Sequence, residues 1–197
     1  MNSSRKAGRP PREAVPLSRQ RILEVALPLL REAGPDAISF RKLGEHLDVT
    51  PMAIKYHVGS QREMLASLVS LAFAATLETS YSDDPVIRLR DILRSYCTRA
   101  LQNTRLVQCV HQDPSLMSDE LVSITTEIRK NTQLLNDGDH KDELLNLLVD
   151  YTHGFVFAAA ACRQENQPTE TDFLRSLDWI LIRTAIDNNK QRLRSVS

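Results

Sequence analysis

The stretch Ser39–Leu65, SFRKLGEHLDVTPMAIKYHVGSQREML, carries three helix-start signals in close succession. Ser39, Thr50 and Ser60 each place a hydroxyl just ahead of a helix-forming run, where it can accept from an otherwise unsatisfied backbone N–H. Pro51 follows Thr50 at the first helical position, where its missing N–H costs nothing. Glu63 stands three residues after Ser60, the spacing of a capping box. These signals predict a helix from Ser39 to about Leu47, a turn at Asp48-Val49, a short helix from Pro51 to about His57, and a third starting after Ser60. Phe40, Leu43 and Leu47 face inward and Arg41, Lys42 and Glu45 outward on the first, and Ile54 anchors the second.

Upstream, residues 18–33 form an amphipathic helix. Ser18 is its N-cap, Leu17 sits at the staple position, and Ile22, Ala26, Leu29, Leu30 and Ala33 make the apolar stripe. Gly34-Pro35 ends it. Pro28 lies inside it and predicts a bend or a break, because its ring removes the bond to the Glu24 carbonyl. Residues 2–17 are rich in Arg, Pro, Ser and Gly and read as a flexible basic arm.

Downstream, the helix begun at Ser60 is expected to reach about Tyr81, followed by a linker at 82–85. Five more helices are predicted at about 86–103, 104–111, 118–135, 141–163 and 171–188, with a frayed tail from Lys190. Apolar residues recur at helical spacing throughout and no long alternating stretch occurs, so the expected fold is all-α. The domain boundaries read as a basic arm at 1–17, a helix-turn-helix unit at 18–65 and a helical body at 66–197.

The chain of 197 residues has zero net charge, but the charge is segregated. Residues 1–62 hold 11 Lys and Arg against 6 Asp and Glu, a local charge of +5, and the remainder is −5. Such a split suits a polyanion partner for the front alone. Cys97, Cys109 and Cys162 are odd in number and contain no CxxC pair, which argues for reduced buried thiols in a cytoplasmic protein rather than a disulfide frame. The start of the chain lacks the apolar core of a signal peptide, and no uninterrupted apolar run approaches the ~18 residues that span a bilayer, so no membrane partner is expected.

A short helix that projects its N-terminal half, braced by a second helix across it, has the geometry for entering the major groove. Thr50, Pro51 and Met52 would lead, followed by Lys55, Tyr56 and His57. Lysine can reach guanine or phosphate, tyrosine and imidazole can donate to phosphate, and apolar groups can meet a thymine methyl. Arg41 and Lys42 fall at the groove's flank, Arg62 beside the third helix start, and Arg5 and Arg9 in the arm, where they could enter a minor groove.

With these residues in view, 18–65 resembles the DNA-binding domain of TetR/AcrR-family transcriptional regulators, through ILEVALPLLREAG, ISFRKLGEHLDV, TPMAIKYHV and GSQREML. The resemblance implies a homodimer, a palindromic double-stranded operator, and repression released by a small-molecule effector bound in the C-terminal body. Three positions depart from the family pattern. Asp48 stands where glycine is usual in the turn, Gln61 where lysine is common, and Lys55 where a tyrosine is usual, with Tyr56 next to it. In the body, polar residues on apolar stretches are the candidates for effector binding: Arg94, Tyr96, Cys97, Cys109, His111, Tyr151 and His153. No metal-ligand spacing and no cofactor motif occurs. Two other classes are open: a DNA-binding architectural protein without effector control, and a helical enzyme. The latter lacks paired carboxylates, a placeable Ser/His/Asp set or a glycine-rich phosphate loop.

Overall fold

A computed structural model of the chain describes residues 16–79, 81–136, 139–162 and 167–195, so the basic arm with Arg5 and Arg9 lies outside the described residues. Among the described residues the chain is helical throughout: α1 Arg19–Ala33, α2 Phe40–Leu47, α3 Pro51–Val58, α4 Gln61–Phe73, α5 Pro85–Gln102, α6 Thr104–Gln112, α7 Asp119–Leu135, α8 Glu143–Ala161 and α9 Glu170–Ser195.

The caps predicted from sequence are made. The Oγ atoms of Ser18 and Ser39 accept from the Arg21 and Lys42 amides at 3.2 and 3.3 Å, and Thr50 Oγ1 accepts from Ala53 N at 3.2 Å. Ser60 and Glu63 form the reciprocal box, with Glu63 N donating to Ser60 Oγ at 3.2 Å and Ser60 N donating to Glu63 Oε2 at 2.6 Å. The Ser60 amide donating to the carboxylate, aided by the Ser60 hydroxyl, holds the Glu63 carboxyl below its ordinary range.

Several expectations change. α1 runs unbroken through Pro28, which lies on its exposed side, so solvent can serve the carbonyl that proline leaves unpaired. The buried stripe of α1 is Ile22, Leu23, Ala26, Leu27 and Leu30, while Ala33 is exposed. α4 stops at Phe73 rather than near Tyr81. Ala75 takes a left-handed φ of 58°, and a 3-10 turn follows at Thr76–Thr79, started by Thr76 Oγ1 donating to the Phe73 carbonyl at 2.6 Å. α9 continues past Lys190 to Ser195. Of the three cysteines only Cys97 is buried; Cys109 is half-buried, Cys162 is exposed, and all are free thiols.

α1 packs against α2, α3, α4 and α6, and α5 packs against α7, α8 and α9. One hydrophobic core runs from Ile22 in α1 to Leu181 in α9. The expected boundary between residues 65 and 66 therefore falls inside α4, a helix that serves both ends: Met64 and Phe73 are both fully buried on it. Polar ties reinforce the join. Arg31 Nε donates to the buried Asn103 Oδ1 at 2.8 Å, and Asn103 Nδ2 donates to the Arg99 carbonyl at 2.7 Å. α8 is long and apolar enough by composition to cross a membrane, yet Leu144, Leu145, Leu148, Thr152 and Val156 are buried in the bundle, as in a core helix.

Asp48 closes α2 in the left-handed region, with φ 55° and ψ 47°. Glycine occupies that region without the Cβ–carbonyl contact that burdens an L-residue. Asp48→Gly is expected to stabilise the protein by about 0.5–1 kcal/mol, part of the relief being lost to the greater freedom of the unfolded chain. Urea unfolding checks this: a lower midpoint in the variant would mean that the aspartate side chain contributes more than the strain costs.

Candidate nucleic-acid interface and internal cavity

Helix α3 is held from below and bare above. Ile54 and Val58 are fully buried, whereas Met52 is 72% and Tyr56 85% exposed. Thr50, Pro51 and Lys55 are exposed as well, and His57 is half-buried with its ring edge-on to Tyr56 at 5.4 Å. Met52 and Tyr56, four residues apart on this eight-residue helix, lie on one exposed face, a candidate contact surface. The helix is braced by Arg19 at the start of α1, whose guanidinium donates to the His57 carbonyl at 3.5 Å and to Ser67 Oγ on α4.

Around this tip the predicted cations divide into engaged and open. Lys42 Nζ donates to the Asp36 carbonyl at 2.9 Å, and Arg41 makes a loose, exposed ion pair with Glu45 at 3.9 Å. Such a pair is worth little and is easily exchanged for a phosphate. Arg62 and Lys55 extend into solvent. Gln61, at the lysine position of the family pattern, turns inward instead: its Nε2 donates to the Ile38 carbonyl at 3.3 Å.

A second exposed apolar surface lies on α8 and α9. Leu147, Trp179, Ile182 and Ile186 are 52%, 64%, 53% and 42% exposed. On α8, Gly154, Ala158 and Ala161 are exposed too, and a Cβ built on Gly154 would meet nothing within 4 Å. Leu147 and the alanines at 158, 160 and 161 thus lie outside the core, although they share helical stripes with inward residues.

Between α5, α6, α7 and α8 is a cavity of about 440 Å³. Its floor is apolar and buried, formed by Phe73, Val107, Leu121, Ile124 and Ile128. Among the sequence-predicted body residues Tyr96, His111 and His153 line it. Tyr96 Oη and His153 Nε2 are 2.7 Å apart, and burial pushes the phenol pKa up and the imidazole pKa down, so both are neutral near pH 7.

Arg94, Cys97, Cys109 and Tyr151 are not among the lining residues. Arg94 pairs with Glu170 at the start of α9 and faces a separate polar groove. Cys97 is enclosed, its thiol pKa pushed up to about 12 by burial. Tyr151 donates to the Phe173 carbonyl at 3.1 Å and stacks on the Phe173 ring at 5.4 Å. Sequence reasoning missed Arg129, which lines the cavity together with Thr125 and Asn146. Its signal was legible: it falls on the helical face shared by Leu121, Thr125, Ile128 and Thr132, where a charge is out of place. No group of three or more His, Cys, Asp or Glu able to hold a metal ion occurs among the described residues.

No family model and no curated protein matches the chain. Solved structures do. The TetR regulator SCO7222 from Streptomyces coelicolor matches at TM-score 0.68 and 17% identity, covering 86% of this chain and 98% of that one. BioQ with its double-stranded DNA operator matches at 0.69 and 19%, covering 86% and 99%. The TetR-family protein ActR from Streptomyces coelicolor, in complex with (S)-DNPA, matches at 0.60 and 19%, covering 88% and 99%. The chain has the fold of the TetR-type transcriptional regulators, an N-terminal helix-turn-helix unit on a C-terminal helical body.

Proposed function

We propose that this chain is a TetR-family transcriptional regulator, a cytoplasmic homodimer that reads a palindromic double-stranded operator with α3 and is released from it by a small molecule in the body cavity. The observation that carries the reading is the tip of α3. Met52, Lys55 and Tyr56 stand out of a short helix whose Ile54 and Val58 are locked into the core. Thr50, Met52 and Tyr56 face base edges on this reading, and Lys55 reaches a phosphate beside them. Arg41, Lys42, Pro51, His57 and Arg62 flank the groove, and Arg5 and Arg9 supply the arm on grounds of charge alone. The solved complexes of BioQ with an operator and of ActR with a small molecule support the two kinds of partner.

Dimerisation supplies the cover for Leu147, Trp179, Ile182 and Ile186 and matches two heads to the symmetry of a palindrome. Repression, rather than activation, follows the family pattern. Catalysis plays no part in this reading.

Selection from a random duplex pool, followed by titration of the enriched sequence at several salt concentrations, tests it. The selected site should be a palindrome. Lys55→Ala should weaken binding by about tenfold and lower the salt slope by about one. An unchanged affinity and slope in that variant would remove α3 from the interface, and failure to enrich any duplex would remove DNA as the partner.

A further inference from the structure

The cavity says more than that something small fits it. Its walls are apolar except at two places. One is the neutral Tyr96–His153 couple against Phe73, with His111 close to His153. The other is a rim cluster of Thr125, Arg129 and Asn146. Asn146 and His153 are seven residues apart on α8, so the two polar places are separated by roughly 10 Å along that helix. Arg129 is the only arginine or lysine among the described lining residues, and no aspartate or glutamate lines the chamber.

Arg129 is also held in place. Its Nε donates to Asp142 Oδ2 at 2.9 Å, and Asp142 is itself fixed in a left-handed conformation with φ 56° just ahead of α8. Among the described residues the two terminal nitrogens of Arg129 have no partner. Thr125 Oγ1 donates to the Leu121 carbonyl at 2.9 Å and so presents only an acceptor, while the Asn146 side chain makes no hydrogen bond among the described residues. A guanidinium with two open donors beside a free amide matches a carboxylate. A cation would meet an arginine whose only counter-charge, Asp142, is not among the lining residues.

We propose that the cavity binds an elongated apolar monocarboxylate, its carboxylate on Arg129 and Asn146 at the rim and its hydrocarbon body against the buried floor. The far end, at Tyr96 and His153, accommodates a neutral oxygen on the ligand. This rests on the reading of the cavity as the effector site and adds the ligand's charge and polarity.

Three probes of one length separate the possibilities: decanoate, decanol and decylammonium, whose extended chains suit the distance between the two polar places. Calorimetric titration of the full-length protein should show decanoate binding at least tenfold tighter than decanol, with decylammonium weakest. Arg129→Gln should cost decanoate about tenfold and leave decanol unchanged, and Arg129→Lys should recover part of the loss. The Arg129–Asp142 pair is partly exposed, so circular dichroism should show both variants folded. Decanol or decylammonium binding as tightly as decanoate, with Arg129→Gln indifferent, would overturn the carboxylate assignment and leave the cavity as a ligand site. Binding of none of the three would overturn both, and the duplex selection above reports separately on the DNA-binding head.

Discussion

Replacing Trp179 and Ile182 together by glutamate is expected to leave each protomer folded and to abolish tight operator binding. Both side chains are more than half exposed in the protomer, so little packing within it is lost. Arg183 lies over the Trp179 ring with its Cζ 6.0 Å from the centroid, and would stand beside Glu at 179 on a solvated surface. In a two-fold dimer built on α8 and α9 the same glutamates are buried against apolar partners, where an unpaired carboxylate costs several kcal/mol. A monomer carries one head. It loses the effective concentration that a tethered second head supplies, which is worth on the order of 100-fold or more in affinity. Sedimentation at micromolar concentration should show a dimer for the parent and a monomer for the double variant, with helicity unchanged by circular dichroism. A parent that is already monomeric, or a variant that still dimerises, would move the interface off α8 and α9.

Gly44→Ala is expected to unfold the reading head first. Gly44 is buried inside α2 with ordinary helical backbone, a place where alanine normally adds about 1 kcal/mol of helix propensity. Here a Cβ would lie 2.7 Å from the Val49 carbonyl oxygen and 3.4 Å from Pro51 N. Both neighbours are backbone of the turn into α3, and the Val49 amide already donates to the Gly44 carbonyl at 2.9 Å. Relief requires α3 to move away from α2. Overpacking of this kind costs up to about 3 kcal/mol, which outweighs the propensity gain and leaves a net loss of about 2 kcal/mol. Operator affinity should fall more than the melting temperature suggests, because α3 is displaced even in molecules that stay folded. Thermal unfolding together with duplex titration checks both effects. An unchanged affinity would show that the tight α2–α3 approach has no bearing on how α3 is presented.

Much of the head was legible in the sequence because its determinants are local. A hydroxyl cap, a proline at the first helical position and a capping box act over three or four residues, so Ser39, Thr50 and Ser60 set the starts of α2, α3 and α4 without help from the rest of the chain. The buried face of α5, Leu89, Ile92, Leu93, Tyr96 and Cys97, likewise follows the three- and four-residue spacing of a helical stripe. The end of α4 was not legible. The run to Tyr81 has helical composition, and the stop at Phe73 comes from a single left-handed residue, Ala75, with nothing in its chemistry to announce it.

The body shows where local reasoning ends. Tyr96 and Tyr151 both read as polar groups on apolar helices, yet one faces a cavity and the other is spent on the Phe173 carbonyl. Which of the two happens depends on the rotation of α5, α8 and α9 against one another, a property of packing over many residues. The same holds for Arg129, whose place on an apolar stripe is visible in the sequence but whose Asp142 partner and open donors are not. The stretch Ser39–Leu65 by itself determined a helix-turn-helix with Met52, Lys55 and Tyr56 at its tip, because caps and turns are short-range. The tertiary structure alone decided that Gly44 is pinned against the α3 turn, that α4 belongs to both ends of the core, and that one arginine lines a largely apolar chamber. Those facts arise where distant segments meet, and no spacing along the chain encodes a distance across it.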